Sequence, residues 1–154
     1  MHHMERDLGA RIQVAGGTGA SQTAGSEAEI NFDHYDRLPG QDLAGLYHGA
    51  VAMLCGVATL AAGETLSFTG NYQHGDTTGT YTDIGDALTS TVVATGPDGG
   101  GAVGFQLKLP NLDLSQAKRF VRFQATPNFS RTGTDTAIIG GLIVVGGPQN
   151  QPAA

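Results

Sequence analysis

Glycine sets the limits on what this chain can fold into. It holds 24 of 154 positions. A glycine inside a helix costs about 1 kcal/mol relative to alanine, so helical bundles and coiled coils are disfavoured. The glycines follow no three-residue period, which excludes a collagen-like triple helix. Many fall instead between short runs in which apolar residues alternate, and a few, such as Gly56, lie inside them. Alternation with a period of two marks a strand with one buried face.

The clearest run is Glu64–Gln73, with Leu66, Phe68 and Tyr72 on one face and Thr65, Ser67, Thr69 and Asn71 on the other. Ala102–Leu109 places Val103, Phe105, Leu107 and Leu109 inward. Lys118–Ala125 turns Val121, Phe123 and Ala125 to one side and Phe120, Arg122 and Gln124 to the other. Ala50–Leu60 is an apolar strand whose Gly56 suggests a bulge, and Ala87–Ala94 adds Leu88, Val92 and Val93. Ala137–Val145 is apolar throughout, as expected of a strand covered on both faces. Ile30 and Phe32 begin a short strand. His74–Thr80, Gly96–Gly101 and Pro127–Thr136 are expected turns, and Leu112–Ala117 one helical turn. The pattern predicts an all-β fold, a sandwich or barrel of about seven to eight strands.

Residues 1–29 differ from the rest. Leu8, Ile12 and Val14 are their only large aliphatics, and the segment Ala15–Ser26 is small and polar. This composition predicts an extended N-terminal arm held by a partner surface rather than by a core of its own. The expected organisation is an arm over 1–29, a β-sandwich over 30–147 and a tail over 148–154. The start of the chain lacks a hydrophobic signal segment. The longest uncharged stretch, Gly49–Gly63, has 15 residues with three glycines, short of the ~20 apolar residues of a membrane span. The expectation is a protein made in a reducing cytoplasm, with no membrane partner.

Charge and chemistry narrow the function classes. Only 14% of residues are charged and the formal net charge is −6, which argues against binding a nucleic-acid backbone. Cys55 is the single cysteine, so no intrachain disulfide framework or cysteine-based zinc site exists. Cys55 lies in an apolar run and is expected to be a small buried hydrophobe. His34 and Asp36 share a strand face, but a metal needs three or four ligands and no second cluster matches them. Asp76 and Asp98 sit in turns, where aspartate bonds its own backbone. Gly16-Gly17-Thr18-Gly19 lacks the Gly-Lys-Ser/Thr of a phosphate loop. Ser21 and Ser67 lie outside any nucleophile elbow. Lys118, Arg119 and Arg122 form the one basic cluster and are expected to pair with acidic residues. No enzyme, metal or cofactor is expected.

The C-terminal two-thirds carries a family pattern. Its parts are Gly63-Glu64-Thr65-Leu66-Ser67-Phe68, the loop from Ala94 to Gly101, and Leu114-Ser115-Gln116-Ala117-Lys118-Arg119-Phe120-Val121-Arg122-Phe123. Thr126-Pro127-Asn128-Phe129-Ser130 follows, and then Gly133-Thr134-Asp135-Thr136-Ala137 leads into a strand ending at Gly146-Gly147. Over about residues 50–147 the chain resembles the small jelly-roll cement, or capsid decoration, proteins of tailed bacteriophages. The resemblance implies a non-enzymatic jelly roll without cofactor. Such a protein is made in the bacterial host and bound to the outside of a virion, where it clamps neighbouring subunits of the major capsid protein.

The arm and the Ile30–Tyr47 segment are the expected capsid contacts, with Leu8, Arg11, Ile12, Val14, Ile30, Phe32, Tyr35 and Tyr47 as candidates. Ile138, Ile139, Leu142, Ile143, Val144 and Val145 exceed what one sheet face needs. They predict self-association as a homodimer or homotrimer. The competing classes are a carbohydrate-binding β-sandwich of a phage tail or receptor-binding structure, and a hydrolase. The first is weakened by the absence of Trp and the presence of only four Tyr, the second by the lack of an assembled base and nucleophile.

Overall fold

The computed structural model describes residues 12–37, 47–131 and 133–148. Ten strands follow in chain order: β1 (Ile12–Thr23), β2 (Ile30–Asn31), β3 (Tyr35–Asp36), β4 (Tyr47–Leu60), β5 (Thr65–Thr77), β6 (Thr80–Thr95), β7 (Gly101–Lys108), β8 (Leu112–Asp113), β9 (Phe120–Phe129) and β10 (Thr136–Pro148). They form two antiparallel sheets. Sheet A has the order β1-β10-β4-β7, with β8 added on β4. Sheet B has the order β2-β9-β5-β6, with β3 also on β9. If β2 and β3 count as one interrupted strand and β8 as an accessory, eight strand positions remain. They are shared between the sheets in the way of a jelly roll, two Greek keys folded face to face.

The core lies between the sheets. Sheet A contributes Ala52, Leu54, Ala58, Ile139, Ile143 and Val145, and sheet B contributes Leu66, Phe68, Tyr72, Val121, Phe123 and Ala125; none is more than 1% exposed. Phe32 stacks on Phe123 with ring centroids 4.0 Å apart. Gly141 of β10 faces this pair, and a Cβ there would lie 2.4 Å from Phe32 and 2.7 Å from Phe123. A backbone without a side chain lets the stacked rings reach the opposite sheet. The Tyr72 hydroxyl accepts from the Ala52 N–H at 2.6 Å and donates to the Pro110 carbonyl at 2.9 Å. It thereby ties the two sheets together.

Several local expectations are corrected. Residues 12–23 of the proposed arm are extended, and their partner is within the chain: β1 pairs with β10 from Ile12↔Gly146 to Thr23↔Thr136. Backbone pairing holds this segment where side-chain burial could not. Gly56 is not a bulge, since β4 pairs regularly with both neighbours. It faces inward, where a Cβ would meet Phe105 at 2.8 Å. β5 runs on to Thr77, so the turn is only Thr78–Gly79. β9 runs through Pro127 to Phe129. Leu112–Ala117 is part strand and part turn: Leu112–Asp113 pairs with β4, the Asp113 carboxylate accepts the Ser115 N–H at 2.8 Å, and the Ala117 N–H donates to the Leu114 carbonyl at 3.0 Å in a single turn.

Candidate functional site

The strongest surface feature is the outer face of sheet A. β10 is apolar at every large side chain from Ala137 to Val145, but only alternate positions can face the core. Ala137, Ile139, Ile143 and Val145 are buried, while Ile138 on the other face is 67% exposed. The expectation of a strand covered on both faces is therefore corrected within this chain. The ladder register aligns the outward residues in rows across the sheet. Val14, Val144 and Val51 form one row, Gly17, Leu142, Met53 and Lys108 the next. Gly19, Gly140, Cys55 and Gln106 follow, then Ser21, Ile138, Val57 and Gly104. Lys108 is the one charged residue in these rows and sits at their corner.

Among the described residues five large hydrophobics are exposed, and four of them, Val14, Met53, Val57 and Ile138, lie on this face. Scattered exposed apolar residues are ordinary, but a contiguous patch marks a contact surface. Cys55 is exposed at its centre, which corrects its expected burial. The alternation along β4 puts Leu54 and Ala58 inward and leaves Cys55 outside.

The outer face of sheet B is more polar, although Val92 on β6 is 58% exposed. Arg122 donates through Nε and Nη2 to the Gln73 side-chain oxygen Oε1 at 3.0 and 2.8 Å. The Gln73 amide in turn donates to Asp83 at 3.0 Å. The Arg122 guanidinium lies 4.0 Å from the centre of the Tyr81 ring. A neighbouring groove is lined by Thr69, Asn71, Asp83, Gln124 and Thr126.

The candidate contact residues separate into three groups. Leu8 and Arg11 lie outside the described residues. Ile12 opens β1 opposite Gly146, and Val14 stands 63% exposed on the apolar face. Ile30, Phe32, Tyr35 and Tyr47 are instead core residues, from 3 to 8% exposed, so their side chains are closed to a partner in this conformation. Phe32 fills the space left by Gly141, and burial pushes the Tyr35 phenol up from its ordinary value. Of the basic cluster, Arg119 pairs with Asp36 through two bonds of 3.0 and 2.9 Å, and Lys118 with Asp76 at 2.9 Å. That engagement occupies the Asp36 carboxylate, and His34 packs edge-on against Phe120. Among the described residues no three potential ligands gather around a metal position. Ser67 donates to the Asn128 carbonyl at 3.2 Å, and Ser21 lies exposed on β1.

One buried polar residue had no distinguishing signal in the sequence. Asp135 is 6% exposed and accepts the Ala61 N–H at 2.9 Å, while its carbonyl accepts the Ala24 N–H at 2.9 Å. It staples the loop before β10 to the ends of β4 and β1. In sequence it reads as one more aspartate in a glycine-containing turn.

No protein-family model and no curated protein matches the chain. Among solved structures it is similar to the infectious bursal disease virus VP2 subviral particle, at 12% identity and TM-score 0.40 over 92% of this chain and 34% of that one. It thus spans about a third of the VP2 chain. It is also similar to Desmodium yellow mottle tymovirus, at 13% identity and TM-score 0.31 over 96% and 94% of the two chains. A third is the SPBc2 prophage-derived protein YomS, at 11% identity and TM-score 0.29 over 82% and 94%. Superpositions this loose transfer no role. What the molecule offers chemically is an exposed apolar face on sheet A.

Proposed function

We propose that this chain is a bacteriophage capsid cement protein, a non-enzymatic β-sandwich on the outer surface of the virion that clamps neighbouring subunits of the major capsid protein. The observation that carries the reading is the bare outer face of sheet A, apolar and nearly uncharged. Strand spacing and rise make the apolar rows from Val14 to Ser21 roughly 20 by 25 Å, or about 500 Å². That falls within the ~300–600 Å² of the largest exposed patch on a typical monomer, which is often functional. The family resemblance over residues 50–147 supports the same reading. Many copies on one shell multiply a modest contact, so no single anchoring residue is required. In this reading the docking surface is the Val14, Met53, Val57 and Ile138 face, not the buried Ile30–Tyr47 aromatics.

The test is sedimentation of a native lysate, with the protein followed by immunoblot. The wild type is expected to co-migrate with particles of viral size at many copies each, and Val57→Lys to remain in the small soluble fractions while still folded. Recovery of the wild type only in the small fractions would overturn the virion assignment. Particle binding by Val57→Lys at wild-type strength would remove this face as the docking surface.

The polar groove of sheet B favours a second reading, a carbohydrate-binding module of a phage tail or receptor-binding structure. Its amides and carboxylate suit sugar hydroxyls. No aromatic lines it, and on the same sheet Tyr81 is covered by Arg122 and offers no open stacking platform. Binding to a glycan array by the purified protein would favour this reading over the first.

A further inference from the structure

The edges of the two sheets are guarded unequally. A strand edge exposes unpaired N–H and C=O groups, and proteins normally blunt it with short length, charge, proline or bulges. In sheet B, β2 and β3 have two residues each. β6 carries Asp83 and Asp86, holds Gly85 at positive φ and pairs with β5 through four register shifts. In sheet A, β7 has eight residues and ends in Lys108. β1 has the fewest of these defences. It is 12 residues long without a charge or a proline, and its one irregularity lies near its start, between Ala15 and Gly17. Among the described residues only β10 pairs with it.

We propose that the outer edge of β1 pairs antiparallel with β1 of a second copy across a twofold axis, joining two A sheets into one. An antiparallel strand is complementary to itself under such an axis. Two strands of this length exchange up to about 12 hydrogen bonds, within the ~10 ± 5 of a typical interface. Each copy carries a net charge of −6, yet β1 contributes none of it, so the seam brings no like charges together. Gly17, Gly19 and Ser21 place nothing bulky on the outward side. The two apolar faces become continuous, doubling the surface proposed to meet the shell. The pairing itself does not depend on that assignment.

The purified full chain tests it, away from any particle. Sedimentation equilibrium is expected to give a mass twice the 15.8 kDa of one chain. The Gly19→Lys/Ser21→Lys variant sets like charges along the seam and is expected to sediment as one chain. A Cβ at Gly19 meets only the Ile139 carbonyl at 3.6 Å and Ser21 is exposed, so the fold accommodates both changes. Val57→Lys, on β4 away from the edge, is expected to stay dimeric. Hydrogen exchange of the wild type supplies a readout independent of the variants: the β1 amides from Gly17 to Thr23 are protected in the dimer, and alternate ones open on dilution. A monomeric or trimeric wild type, a dimeric double variant, dissociation by Val57→Lys, or unprotected alternate β1 amides would each overturn the proposal.

Discussion

Two adjacent glycines in β10 are expected to respond in opposite ways to the same substitution. At Gly141 a Cβ would sit 2.4 Å from Phe32 Cε1 and 2.7 Å from Phe123 Cζ. Both rings are at most 3% exposed and are stacked on each other, so neither can retreat without disturbing the core. Overpacking of this kind costs about 1–3 kcal/mol. For a chain of this size that lowers Tm by roughly 3–10 °C. At Gly140 a Cβ meets only the Cys55 carbonyl at 3.8 Å, an ordinary contact on the exposed side. Replacing that glycine restricts the unfolded chain and is expected to stabilise by about 0.4–1 kcal/mol. Thermal unfolding of Gly141→Ala and Gly140→Ala, read by calorimetry beside the wild type, gives both values. Equal shifts for the two, or no loss at Gly141, would refute the strand facing and the role assigned to Gly141.

Two further outcomes rest on titratable groups. Tyr72→Phe strands the Ala52 N–H and removes a donor to the Pro110 carbonyl, at a cost of about 1–3 kcal/mol in chemical denaturation. Burial pushes the Tyr72 phenol up to about 12. The stabilisation from the neutral phenol is therefore full below pH 10 and lost as pH rises through about 12. The gap between wild type and Tyr72→Phe should narrow over that window, and a constant gap would refute the link. His74 accepts the Lys118 N–H through Nδ1 at 3.2 Å, and burial, with Lys118 adding to it, holds its imidazole below the ordinary value. A lowered histidine stabilises above pH 6.5 and loses that contribution as pH falls. His74→Gln retains an acceptor without titrating, so its Tm should drop less than the wild type's between pH 7 and pH 5; equal drops would remove His74 from the acid response.

The periodic strands were legible in the sequence because local alternation reports facing directly. Leu66, Phe68, Tyr72, Val121, Phe123 and Ala125 stand where their spacing puts them, and glycine abundance excludes helix. Three kinds of information were not local. Hydrogen-bond partners decide whether a weakly apolar segment is ordered, so β1 looked detached until β10 was found beside it. Which sheet face meets the other sheet is a pairwise matter. Phe32 therefore went to the core while Ile138 and Cys55, in more apolar runs, went to the surface. Proline and glycine signal turns only statistically, and β9 passes Pro127 because its neighbours on the strand still bury their side chains. Sequence alone determined an all-β chain with more apolar strand surface than one core consumes, since composition and period suffice for both. Only the tertiary structure decided where the surplus lies, because register across β1, β10 and β4 gathers residues remote in the chain onto one face.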